Sequence, residues 1–193
     1  MKTQLVLVTV VSAVAFGSGC AATAAQSLRR DAEVVQKEST PEVLLRKGDA
    51  FAAVGDTTRA EQYFASAQAA GGEPHLLVRR LIRVCVADQR YRAALVYAED
   101  YLRKHPLDDE VRFARATLAV GVGEPRLARD DLNRLVEATP RNPEVHFALA
   151  VLLRDEFGDL PAARRHFANY LALAPHGRNR EQAQASAATE ASP

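Results

Sequence analysis

Chemistry in this chain would have to come from five histidines, two cysteines and scattered carboxylates. His75, His105, His146, His166 and His176 have no spacing that sets two on one helical face beside a carboxylate or thiolate, so no metal site is expected and they read as surface residues. Asp108 with Asp109, and Asp130 with Asp131, are adjacent carboxylates. Neighbours along a helix point to different faces, so these pairs read as capping and solubility groups and not as an acid–base couple. There is no glycine-rich phosphate loop, no nucleophile elbow, and no serine or cysteine with an evident base and orienting partner. No catalytic residue and no bound cofactor follow, and an enzyme is not expected.

Composition points the same way. A chain of 193 residues, 48% apolar and 25% charged, is the size and make-up of one globular domain. Its formal net charge of +1 gives no field that would draw it to nucleic acid, and with no tryptophan it offers little for bases to stack on.

The elements that would position any site are helical and repetitive. Glu110 to Val120 and Arg126 to Ala138 each have an amphipathic pattern, with Gly121 and Gly123 between them and Pro140 behind. Glycine lets the chain reverse, and proline ends the second helix because it lacks an N–H and crowds the preceding turn. Shifting the sequence by about 34 residues brings Ala60, Ala94, Ala128 and Ala163 into register, together with Pro106, Pro140 and Pro175. The stretch resembles a tetratricopeptide repeat. The small residue, the apolar residue four positions on, a further apolar residue about three beyond and the closing proline are matched by Ala94, Ala98, Tyr101 and Pro106; by Ala128, Leu132, Leu135 and Pro140; and by Ala163, Phe167, Tyr170 and Pro175. The first copy has Ala60, Phe64 and Ala67 but ends in Gly71, Gly72 and Pro74; the second has Ile82 where a small residue is common; the fourth carries one extra residue near Glu156 to Gly158.

The resemblance implies an all-α fold, a right-handed α-solenoid of about four helix-turn-helix repeats over residues 41–175. It also implies a functional surface on the inner curve, lined by the first helix of each repeat. The inward positions are then Leu45, Asp49 and Ala52; Arg79, Arg83 and Val86; Phe113, Thr117 and Val120; and Phe147, Val151 and Arg154. In a groove, the arginines would grip carboxylates or carbonyls and the rings would bury apolar side chains. The same arginines read equally well as a solvated helix face, and the same phenylalanines as inter-repeat core.

The N-terminal residues 1–19 read as a secretory signal. Lys2 is the positive start, Leu5 to Phe16 an apolar run too short to span a bilayer, and Gly17 to Gly19 small. Cys20 follows directly and resembles the lipobox cysteine of bacterial lipoproteins, although Gly17 stands where an aliphatic residue is usual; the other reading is an ordinary cleaved signal with a chance cysteine. Diacylglyceryl and N-acyl chains on Cys20 would anchor the protein without a spanning helix. Ala21 and Ala22, with no aspartate after the cysteine, favour the outer membrane of a Gram-negative bacterium, facing the periplasm. Cys85 falls at an inward helical position and reads as a small buried hydrophobe. Residues 20–40 read as a tether, and residues 176–193 as either a short capping helix, near Arg180 to Ala188, or a disordered tail.

What this implies for function is a lipid-anchored scaffold or assembly factor that binds other envelope proteins. Machines of that kind include pilus secretins, secretion systems and gliding-motility complexes. The alternatives are an accessory subunit that holds or activates a peptidoglycan or other envelope enzyme, and a self-associating repeat protein.

Overall fold

The computed structural model describes residues 39–188. The signal segment, Cys20, most of the tether and the last five residues lie outside the described residues. Among the described residues there are only helices: α1 (Pro41–Ala53), α2 (Thr57–Ala69), α3 (Pro74–Ala87), α4 (Tyr91–Lys104), α5 (Asp109–Gly121), α6 (Pro125–Ala138), α7 (Pro143–Asp155), α8 (Leu160–Leu173) and α9 (Arg180–Ala188). None is long and apolar enough to cross a membrane.

The ends of these helices follow from side-chain chemistry. Thr40, Asp56, Asp108 and Asp159 each accept a hydrogen bond from the backbone N–H three residues on; Asn142 accepts from two residues on, and Glu73 from both positions. These bonds satisfy N–H groups that have no partner within the helix. Pro41, Pro74, Pro125 and Pro143 begin helices, where a missing N–H is harmless. Pro106, Pro140 and Pro175 each lie two residues beyond a helix end, in the links between repeats.

Each repeat is a hairpin that packs on the next, α1 with α2, α3 with α4, α5 with α6 and α7 with α8, and each second helix packs on the following first helix. Ala60, Ala94, Ala128 and Ala163 are all buried where the paired helices meet. Gly48, Ile82, Ala116 and Ala150 hold the equivalent position on the first helices, one per repeat. Gly48 is needed outright, since a Cβ there would lie 2.7 Å from Cδ1 of Phe64. Tyr97 packs against the core cluster of the first two repeats and against the one that runs from Cys85 in the second repeat to Ala183 in α9, so the apolar interior is continuous along the stack.

The hairpin turns share one backbone device. Gly55, Gln89, Gly123 and Gly158 have φ of 78°, 58°, 77° and 63°, the left-handed conformation that reverses a chain after a helix. The fourth turn, residues 156–159, is one residue longer than the other three, which places the extra residue where the sequence pattern put it. α9 closes the stack against α8, with Ala183 fully buried.

Candidate functional site

The first helices carry two kinds of surface on their exposed side. Between the first and second repeats, and between the second and third, that side is tied by ion pairs about one repeat apart. Asp49 on α1 takes Nε of Arg80 through both oxygens, at 3.1 and 3.0 Å, and Nη2 of Arg83 at 2.8 Å. Arg79 on α3 meets Glu110 on α5 at 3.0 Å, and His75 places Nδ1 2.6 Å from Asp108 and Nε2 3.3 Å from Glu110. The Asp108 hydrogen bond raises the His75 pKa against the pull of burial, helped by the charges of Asp108 and Glu110. Burial works to raise the Asp108 pKa, but hydrogen bonds from Val111 N–H, Tyr101 and His75 outweigh it and hold the carboxyl below its ordinary range.

Between the third and fourth repeats the pattern breaks. Glu144 is the repeat equivalent of Glu110, but the position matching Arg79 is Phe113, so no guanidinium reaches across from α5. An open cleft of about 390 Å³ lies here instead, with Phe113, Thr117 and Val120 of α5 along one wall and Phe147, Val151 and Asp155 of α7 along the other. These positions recur every three to four residues and so share one helical face. Phe147 is braced from behind by Phe167 and Tyr170, with ring centres 5.8 and 5.1 Å away. The Thr117 hydroxyl donates to its own helix at Phe113 O, 3.0 Å away.

The rim is polar. Arg178, in the link before α9, donates to Glu144 at 3.0 Å, and Asn179 beside it donates its N–H to the Tyr170 phenol oxygen at 2.9 Å. That link can press so close only because residue 177 is glycine: a Cβ there would lie 2.9 Å from Tyr170 Cζ. Glu156 completes the rim at the far end of α7.

Of the residues the sequence pattern assigned to the inner curve, the structure thus brings Phe113, Thr117, Val120, Phe147 and Val151 into one cleft. Arg79 and Arg83 lie apart from it, each held by a carboxylate of a neighbouring repeat. Arg154 is turned the other way: it holds Asp155 at 2.6 Å, donates to Ser186 of α9 at 2.6 Å, and sits over the Phe167 ring at 5.6 Å. The pattern missed Glu144, Glu156 and Arg178. Two of these had a signal, because Glu144 to Arg178 is 34 residues, the repeat period itself.

The polar residues read as surface groups need correcting. Asp131 is buried and held by Arg115 through Nε at 2.7 Å and by Arg112 at 3.2 Å. His146 is also buried, with Nδ1 3.0 Å from Nδ1 of His166 and Nε2 3.0 Å from Pro140 O. Both pairs join helices that fold back on each other, which single-helix spacing does not reveal. Cys85 is buried as its position implied, and burial, then its 3.0 Å hydrogen bond to Glu61, pushes the thiol pKa up to about 12. Such a thiol is inert at neutral pH. Among the described residues, no three histidine, cysteine or carboxylate side chains converge as metal ligands.

Known proteins match this architecture. Residues 113–178 match the tetratricopeptide repeat family model, and they include both walls of the cleft. Among solved structures, a tetratricopeptide repeat protein from Parabacteroides merdae ATCC 43184 aligns with a TM-score of 0.68 at 21% identity, over 76% of this chain and 58% of that one. This chain therefore spans little more than half of that relative. YrrB, described as a TPR protein with an unusual peptide-binding site, aligns with a TM-score of 0.65 at 20% identity over 81% and 79% of the two chains. MamA from Desulfovibrio magneticus RS-1 aligns at 0.63 and 20%, over 74% and 80%. These likenesses establish the tetratricopeptide-repeat fold of the described helices, and the family match establishes the sequence signature of that repeat over residues 113–178.

Proposed function

We propose that this protein is a membrane-anchored scaffold that holds a segment of a partner protein in the cleft between α5 and α7. The observation that carries the reading is the change at that cleft, where cross-repeat ion pairs give way to Phe113 and Phe147 around a preformed apolar hollow. A solvated helix face has no need of two half-buried phenylalanines, one of them braced by core aromatics, whereas apolar anchors held in place before binding are what a recognition site uses. Repeat proteins of this class are generally non-catalytic interaction scaffolds, and YrrB is described as having a peptide-binding site.

The anchor belongs to the same proposal and rests on the sequence. Lipid on Cys20, the outer membrane as the location and an envelope machine as the client form one consistent reading, with pilus, secretion and motility complexes as the class of client.

Two experiments test the two halves. Crosslinked pull-down from intact cells should recover a partner with the wild-type chain and lose it with Phe147→Glu and with Thr117→Arg, the second placed on an exposed residue so that the core is left alone. Retention of every partner by both variants moves the site out of this cleft. Cys20→Ser should shift the protein from the membrane fraction to the soluble fraction, and a variant that stays with the membrane removes the lipid anchor from the proposal.

A further inference from the structure

The ends of the cleft differ electrically, and the difference bears on what it can hold. α5 and α7 are the first helices of successive hairpins and run the same way, so their C-termini lie side by side at one end of the cleft. Each C-terminus presents carbonyl groups that lack helical partners and a partial negative charge. Asp155 and Glu156 stand at that same end. Asp155 is held by Arg154 through both oxygens, at 2.6 and 3.0 Å, while Arg154 Nη1 reaches away to Ser186. Glu156 is exposed and has no ion-pair partner among the described residues. At the opposite end Glu144 is already matched by Arg178. The uncompensated side-chain charge of the cleft is therefore that of Glu156, negative and at the C-terminal end of α5 and α7.

Resting on the cleft as the binding site, we infer that its occupant is a protein segment with an apolar side chain, aromatic or leucine-like, seated between Phe113 and Phe147, and a lysine or arginine at the Glu156 end. The spacing follows from geometry. Val151 to Asp155 spans about 6 Å of helix and Phe147 to Glu156 about 13 Å, which an extended chain covers in roughly two to four residues. An acidic segment is disfavoured, because its carboxylates would face Glu156 and two helix C-termini. The cavity bordered by Arg79, Arg80 and Arg83 at the other end of the solenoid has the opposite character, but its arginines already face Asp49 and Glu110.

The test is selection of a random peptide display library on the full chain, with counter-selection on Phe147→Glu and Thr117→Arg. The expected result is a set of peptides that depends on both residues, with lysine or arginine enriched two to four positions from an apolar residue. A synthetic copy of the leading peptide should bind Glu156→Lys about fivefold more weakly at low salt, and exchanging its basic residue for glutamate should reverse that preference. Peptides that depend on the cleft but show no basic preference, or are acidic, overturn this inference and leave the site standing. A selection that yields no cleft-dependent peptide overturns both.

Discussion

Arg112 and His146 occupy the same position one repeat apart and do the same job with different chemistry. Arg112 on α5 donates to Pro106 O and to Asp131 on α6; His146 on α7 bonds Pro140 O and meets His166 on α8. In the first two repeats the corresponding residues are Leu44 with Tyr63 and Val78 with Tyr97, and Val78 and Tyr97 share one apolar cluster. One helix-crossing site is therefore filled by aliphatic–aromatic packing in the second repeat, by an ion pair in the third and by two imidazoles in the fourth.

The imidazole pair sets an acid limit on the fourth repeat. A carbonyl can only accept, so His146 Nε2 carries a proton, and in the neutral pair His146 Nδ1 accepts from His166 Nδ1–H. Two protonated rings would place N–H groups nose to nose. Burial first, then the neighbouring charges of His146 and Arg165, lower the His166 pKa. A base whose folded pKa is lowered stabilises the fold above its unfolded pKa, about 6.5, and loses that contribution as pH falls below it. Melting temperature should drop from pH 7 toward pH 5, and His166→Phe should flatten the drop. An equal slope in the variant would rule the pair out as its source.

His75 should act with the opposite sign. Its folded pKa is raised, so its contribution is complete below about pH 6.5 and fades as pH rises through the folded value. His75→Gln should therefore destabilise the protein more at pH 6 than at pH 8.5, read as the difference in denaturation midpoint. A cost that does not change between the two would mean that the His75 contact with Asp108 is a neutral hydrogen bond.

Asp131 is the most exacting polar residue in the stack. Asp131→Ala would leave Arg112 buried without its carboxylate, at a cost of about 3 to 5 kcal/mol, visible by urea denaturation. Replacing the whole cluster by the second-repeat solution, R112V with R115L and D131Y, should recover most of that loss, because well-packed apolar groups often match a buried ion pair. A triple variant as unstable as the single one would show that the third repeat has no room for the apolar arrangement.

Gln89 is the one residue other than glycine with a left-handed backbone among the described residues, in a turn where the other three repeats have glycine. Left-handed backbone costs a residue with a Cβ about 1 kcal/mol. Gln89→Gly should raise stability by up to that amount in thermal denaturation, with unchanged helicity; a loss of stability would mean that the Gln89 side chain makes up for its own strain.

The repeat period, the crossing alanines, the linker prolines and the longer fourth turn were all legible in the sequence, because each rests on interactions within one hairpin or on backbone limits that a residue type carries with it. Phe113, Thr117, Phe147 and Val151 were also placed on one surface by the family resemblance together with the helical period. Tertiary structure decided the rest. Whether Arg79 and Arg83 are free depends on Asp49 and Glu110 a repeat away, and the direction of Arg154 depends on where α9 packs. The burial of Asp131 and His146 depends on what the returning helix sets opposite them. Periodicity fixes the face on which a side chain sits, but a charge is drawn to its nearest opposite charge in space, and in a solenoid that partner comes from the neighbouring repeat.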